Sequence, residues 1–170
     1  MLHKEFSIVG RMMHLMFGLG PLAVMAALAA VVARIERPRA GHGWGRVLTV
    51  GAVASVLLLA AMSLVPESMD DTMWEVVPGA VVSAVGALVA VWGARQLWSA
   101  AVAYIPTLLS IPFIFWTIYN LATGPGDGSG FEGIVYLLSY PFFGLPALVV
   151  GLSTALTQVL RDRNRADVVA

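Results

Sequence analysis

The 170-residue chain is apolar in long blocks, and its charged residues fall in clusters between them. The spacing of those clusters matters because about 20 apolar residues are needed to carry a helix across the hydrocarbon of a bilayer. Arg11 and Arg34 enclose 22 residues in which His14 alone is ionisable; Arg46 and Glu67 enclose 20, and Glu75 and Arg95 enclose 19. Arg95 to Asp127 encloses 31 and Glu132 to Arg161 encloses 28, both short of the roughly 40 residues that two spans require. The pattern predicts five helices, near 11–33, 47–65, 76–94, 103–122 and 133–159. The blocks are continuously apolar and do not alternate, and backbone groups in lipid must be paired within the segment, so helices are expected in place of a β-barrel. The expected fold is an all-α polytopic membrane helix bundle, one integral domain of five transmembrane helices with no room for a soluble one.

The clusters also predict an orientation, since basic residues are retained on the cytoplasmic side during insertion. Residues 34–46, Arg95 and the tail from Arg161 onward share one side, with eight basic residues against three acidic ones. The opposite side has two basic residues against seven acidic ones, among them Glu67, Asp70, Asp71, Glu75, Asp127 and Glu132. An odd number of crossings follows, N-terminus outside and C-terminus inside. Lys4 before an apolar run resembles a signal peptide, but the run is longer than the usual h-region and ends in arginines where cleavage would occur, so a first span is expected. No lipidation motif is apparent at either end.

Composition supports this picture: 59% of residues are hydrophobic and 12% charged, against about 25% charged in soluble domains, and mean hydropathy is +0.84. Ten basic residues balance ten acidic ones, which removes the basic surface that nucleic-acid binding needs. The chain has no cysteine, so disulfides, thiolate metal sites and thiol redox chemistry are excluded. Nine of the ten basic residues are arginine, and alanine, valine and glycine are abundant. That is the codon bias of a high-GC bacterium, and a multi-pass protein of the bacterial plasma (inner) membrane is expected.

Within the third span, Gly79, Ser83, Gly86, Ala90 and Gly93 recur at spacings of four, three, four and three. They share one face, and small residues on one face let a neighbouring helix approach closely. The neighbour is either another helix of this chain or a second subunit. A short repeat links the last two spans: residues 108–114 read LLSIPFI and residues 137–143 read LLSYPFF, identical at five of seven positions. The fourth span runs outward and the fifth inward, so the copies are related by inversion, a relation found at transporter substrate sites. Pro106 and Pro112 in the fourth span, and Pro141 and Pro146 in the fifth, each remove a helical hydrogen bond. Thr107, Ser110, Thr117 and Asn120 fall on roughly one face of the fourth span; Tyr140, Gly144, Ala147, Gly151, Thr154 and Gln158 do so on the fifth. Facing each other, the two stripes would line a polar path for a substrate, or would hydrogen-bond across the helix pair as packing contacts.

The loops are expected to be irregular: residues 34–46 contain Pro38 and three glycines between 41 and 45, and residues 124–130 contain four glycines. Ser68 to Glu75 has a helix-start pattern. Trp92 and Trp98 bracket Arg95 as interfacial anchors, and His42 is expected in water.

No acidic residue and no lysine lies in the middle of a predicted span, which counts against a proton pump, a retinal Schiff base or a carboxylate hydrolase. A serine–histidine hydrolase has no local signature. His14 is the ionisable group inside the hydrocarbon, and His3, Met12, Met13, Met16, Met62, Met69 and Met73 lie toward the same side. Imidazole and thioether suit Cu(I), and a His/Met pair can hold a haem iron; the same methionines also serve as adaptable apolar filler. No cofactor is assigned by the sequence. The leading expectation is a non-catalytic membrane protein, acting in transport or as a membrane subunit of a larger complex. Its partners would be the bilayer and a membrane protein or a second copy of itself. A copper- or haem-binding protein using His14 and the methionines is the alternative, and an intramembrane enzyme is the third.

Overall fold

A computed structural model describes residues 2–63, 73–123 and 140–169, and among them every regular element is helical. The elements are α1 (Leu2–Ile35), α2 (Trp44–Ser63), α3 (Met73–Val91), α4 (Leu97–Thr123), and a π-helical turn (Tyr140–Gly144) that leads into α5 (Leu145–Val169). Among the described residues, three helical stretches are long and apolar enough to cross a membrane: Trp44–Ala61, Leu97–Tyr119 and Tyr140–Val168. Leu19–Ile35 and Val76–Val91 are shorter apolar segments. α1 begins at Leu2 and not near 11, and α4 begins at Leu97 and not near 103. A helix continues through polar flanks where nothing breaks it, so the charge clusters bound the apolar stretch but not the helix. Residues 64–72 and 124–139, which include the helix-start pattern at Ser68 and the glycine-rich stretch, lie outside the described residues.

Burial is arranged as lipid requires. Large apolar side chains point outward on every helix, among them Leu28, Val53, Leu57, Val81, Val85, Phe115, Ile118, Val149 and Leu156. A soluble monomer rarely exposes so continuous an apolar surface. The interior is made of small residues: Ala87, Ala90, Ala101, Ala147 and Ala155 are fully buried, together with Tyr104 and Leu108. Without a hydrophobic drive between helices in lipid, close backbone approach and van der Waals contact hold such a bundle, and small residues permit it. α2, α3, α4 and α5 surround this core, and α1 lies against α4.

The small-residue face of α3 packs inside the chain. A Cβ on Gly79 would collide with the Phe143 ring and approach Leu58 within 2.8 Å, and one on Gly86 would collide with the Tyr104 hydroxyl. Ser83 is buried and donates to Gly79 O at 2.7 Å, and Ala90 is fully buried. Gly93 lies beyond the end of α3 at Val91, with φ of 73°. It serves as the left-handed terminating residue that glycine adopts without steric cost.

Candidate functional site

The arginine-rich end of the bundle is where the described polar side chains are organised. α1 and α4 exchange helix-end partners there. The Glu36 carboxylate, just past α1, accepts from the first amides of α4: Oε1 from Leu97 N at 2.6 Å and Trp98 N at 3.2 Å, Oε2 from Ser99 N at 3.1 Å. A helix N-terminus leaves its first N–H groups unpaired and carries partial positive charge, so a carboxylate suits it on both counts. In return the Gln96 side chain donates to Ala33 O at 2.9 Å, near the end of α1 where carbonyls lack helical donors. Gln96 occupies the cap position, since Ala100 N donates to its carbonyl at 3.0 Å. Its own side chain serves α1, and Glu36 caps α4 in its place.

Residues 36–43 and 92–96 are knitted together beside this exchange. Arg39 N donates to Arg95 O, His42 N to Gly93 O and Arg95 N to His42 O, at 2.9, 2.9 and 2.8 Å. The strands of backbone are so close that a Cβ on Gly41 would come within 2.6 Å of Gly93 O. Arg39 also pairs with Asp162 of α5 at 3.2 Å, across a partly exposed surface where such a pair contributes about 0–1 kcal/mol. A hollow of about 300 Å³ opens among Pro38, His42, Trp44, Arg95 and Gln96. The segment expected to be an irregular loop is thus fixed through its backbone, while His42 and Arg95 themselves are exposed.

Of the polar residues expected to line a path, Thr107 and Thr154 face different neighbours. Thr107 turns toward α2, where its Cγ2 lies 2.5 Å from the position a Cβ on Gly51 would occupy, and its hydroxyl donates to Ala103 O at 2.9 Å. Ser110 donates to Thr107 O at 3.0 Å. Thr154 donates to Val150 O at 2.7 Å and, with Gln158, lines a groove between α3 and α5. Where α4 meets α5 and the π turn, Gly151 faces Ala101 and Gly144 faces Ile105. Pro112, Thr117 and Tyr140 are half-buried and Pro141 is exposed; the side chain of Asn120 lies outside the described residues.

The side chains of Met12, Met13, His14 and Met62 also lie outside the described residues, and Met16 is exposed. Among the described residues, no group of three or more His, Asp or Glu is placed to hold a metal ion.

Among the described residues, the buried polar groups that periodicity and composition do not single out include Ser55 and Tyr104. Ser55 of α2 is fully buried, with its hydroxyl within hydrogen-bond reach of Gly51 O (2.8 Å), Thr107 O (3.1 Å) and Leu108 O. Leu108 O is the carbonyl that Pro112 deprives of its helical donor, so a serine from the neighbouring helix replaces the missing N–H. The signal available was a serine in the middle of the apolar run of α2, with a partner that only the packed bundle reveals. Tyr104 is the second: among the described residues its hydroxyl is the buried side-chain atom without a hydrogen-bond partner, pressed against Gly86. Compared with known protein families, curated proteins and solved structures, the chain matches none.

Proposed function

We propose that this chain is a non-catalytic subunit of a bacterial plasma membrane, crossing it five times with its N-terminus outside, and that it presents its clasped arginine-rich end to a larger complex in the cytoplasm. The observation behind this reading is the reciprocal capping of α1 and α4 by Glu36 and Gln96, with residues 36–43 paired to 92–96. It makes a fixed polar face of a segment that insertion alone would leave loose. The hydroxyls of Ser55, Ser83, Thr107, Ser110 and Thr154 are bonded to backbone carbonyls of their own helix, Ser55 reaching α4 as well, in keeping with packing contacts. A photo-crosslinking residue placed at Arg37 or Arg163 in living cells is expected to yield discrete heavier adducts, while Val149 on the lipid face yields none. Absence of adducts at both polar positions would overturn the reading.

A second reading, transport, is favoured by the π-helical turn at Tyr140–Gly144, because such turns recur at functional sites. Proteoliposome swelling with a panel of small solutes separates the two. Flux that the Pro112→Ala and Pro141→Ala variants remove would support transport, and flux equal to protein-free vesicles would exclude it.

A further inference from the structure

The groove between α3 and α5 is amphipathic along its length. Its walls are Leu88 and Val150 at the deep end, Thr154 and Gln158 next, and Trp92 and Arg161 at the mouth, enclosing about 520 Å³. Ser153 and Thr157 lie on the same helical line of α5. Val150 and Arg161 are eleven residues apart, about 16 Å of helical rise, which is about half the 30 Å hydrocarbon thickness. The groove therefore runs the depth of one leaflet, apolar inside and cationic at its edge.

Among the described residues, the charge at the mouth has no ion-pair partner. Asp162 is engaged by Arg39, and among the described residues no carboxylate lies within ion-pair distance of Arg161 or Arg165. Arg165 follows Arg161 by one turn and lines an adjoining hollow with it. Two guanidinium groups one turn apart, above a slot for an alkyl chain, match a phosphodiester carrying acyl chains. Basic pockets between membrane helices at a cytoplasmic face bind anionic headgroups by this chemistry.

We infer that the α3–α5 groove is a binding site for an anionic phospholipid of the leaflet at the arginine-rich end. Arg161 and Arg165 hold the phosphate, the Gln158 carboxamide donates to the ester region, Trp92 sits at headgroup level, and an acyl chain lies along Leu88 and Val150. Neither the five-span count nor the partner complex is needed for it.

Native mass spectrometry of the full chain in mild detergent tests the site with phosphatidylglycerol, phosphatidylcholine, diacylglycerol of the same acyl chains and glycerol phosphate. Phosphatidylglycerol is expected to be retained above the other three. Arg161→Gln and Arg165→Gln should each weaken its retention roughly fivefold, the equivalent of about 1 kcal/mol per basic residue. Arg163→Gln, outside both hollows, should leave it unchanged. Thr154→Trp fills the groove without touching charge and should abolish retention, so the site stays testable if an arginine variant fails to fold. The inference is overturned if Arg163→Gln weakens retention as much as Arg161→Gln, which means diffuse attraction. Glycerol phosphate binding as tightly as the lipid would overturn it too, since that is a free-anion site.

Discussion

Over their described residues, the two copies of the Leu-Leu-Ser-x-Pro-Phe motif take different backbones. In α4 the copy at 108–114 stays α-helical through Pro112, with Phe113 8% exposed and Ile114 54% exposed. In the second copy the chain passes through a π turn over Tyr140–Gly144; Phe142, the counterpart of Phe113, is 48% exposed, and Phe143 is 6% exposed. The buried position has moved along by one residue. A π turn closes its hydrogen bonds one residue later than an α turn, so it absorbs an extra residue and turns the next side chain inward. Phe143 then fills the space above Gly79, and Gly144 meets Ile105. In α4 the proline is accommodated differently, by Ser55 supplying the donor that Pro112 lacks. Local sequence identity thus fixed neither the backbone nor the buried face; the neighbouring helix did.

Truncating the rings tests that contrast most strongly. Phe143→Ala and Phe113→Ala are each expected to destabilise the bundle by about 3–5 kcal/mol, read from SDS-induced unfolding in mixed micelles. If Phe142→Ala proves as costly as Phe143→Ala, the one-residue displacement is wrong. Next in size, Ser55→Ala should cost about 1–3 kcal/mol, the range for an orphaned buried acceptor. Made in a Pro112→Ala background, the same change should cost below about 1 kcal/mol, because Leu108 O regains a helical donor. A Pro141→Ala background should leave the full loss, and equal coupling to both prolines would remove the distinction between the copies. Glu36→Ala tests whether the regular course of α4 depends on its fixed start. A loss of about 1 kcal/mol is expected, with faster hydrogen exchange at the amides of Leu97, Trp98 and Ser99. Smallest are Phe142→Ala, Ile114→Ala and Pro141→Ala, each exposed and expected within about 0.5 kcal/mol.

What the chain discloses before folding is whatever repeats locally or is set by the bilayer. The spacing of Arg34, Arg46 and Arg95 marks helical blocks because charge in hydrocarbon is costly at any sequence position. The stripe Gly79, Ser83, Gly86 and Ala90 is legible because helical periodicity alone puts it on one face. Its partner is not, since the rings of Phe143 and Tyr104 reach it only after α4 and α5 have packed. Glu36 lies 61 residues from the Leu97 amide it caps, and nothing near either position announces the pairing. Thr107 and Thr154 share a helical face with other polar residues, yet α2 claims one and the α3–α5 groove the other. Periodicity gives the faces of a helix but not which neighbour each will meet.

The inverted relation between the motif copies requires that α4 and α5 cross in opposite senses and that the arginine-rich loops share one compartment. Because the chain has no cysteine, single cysteines at residues 3 and 165 can be probed with a membrane-impermeant thiol reagent in intact cells. Labelling at residue 3 with protection at residue 165 is the predicted result. Equal reactivity at both, in intact cells and after permeabilisation alike, would contradict it.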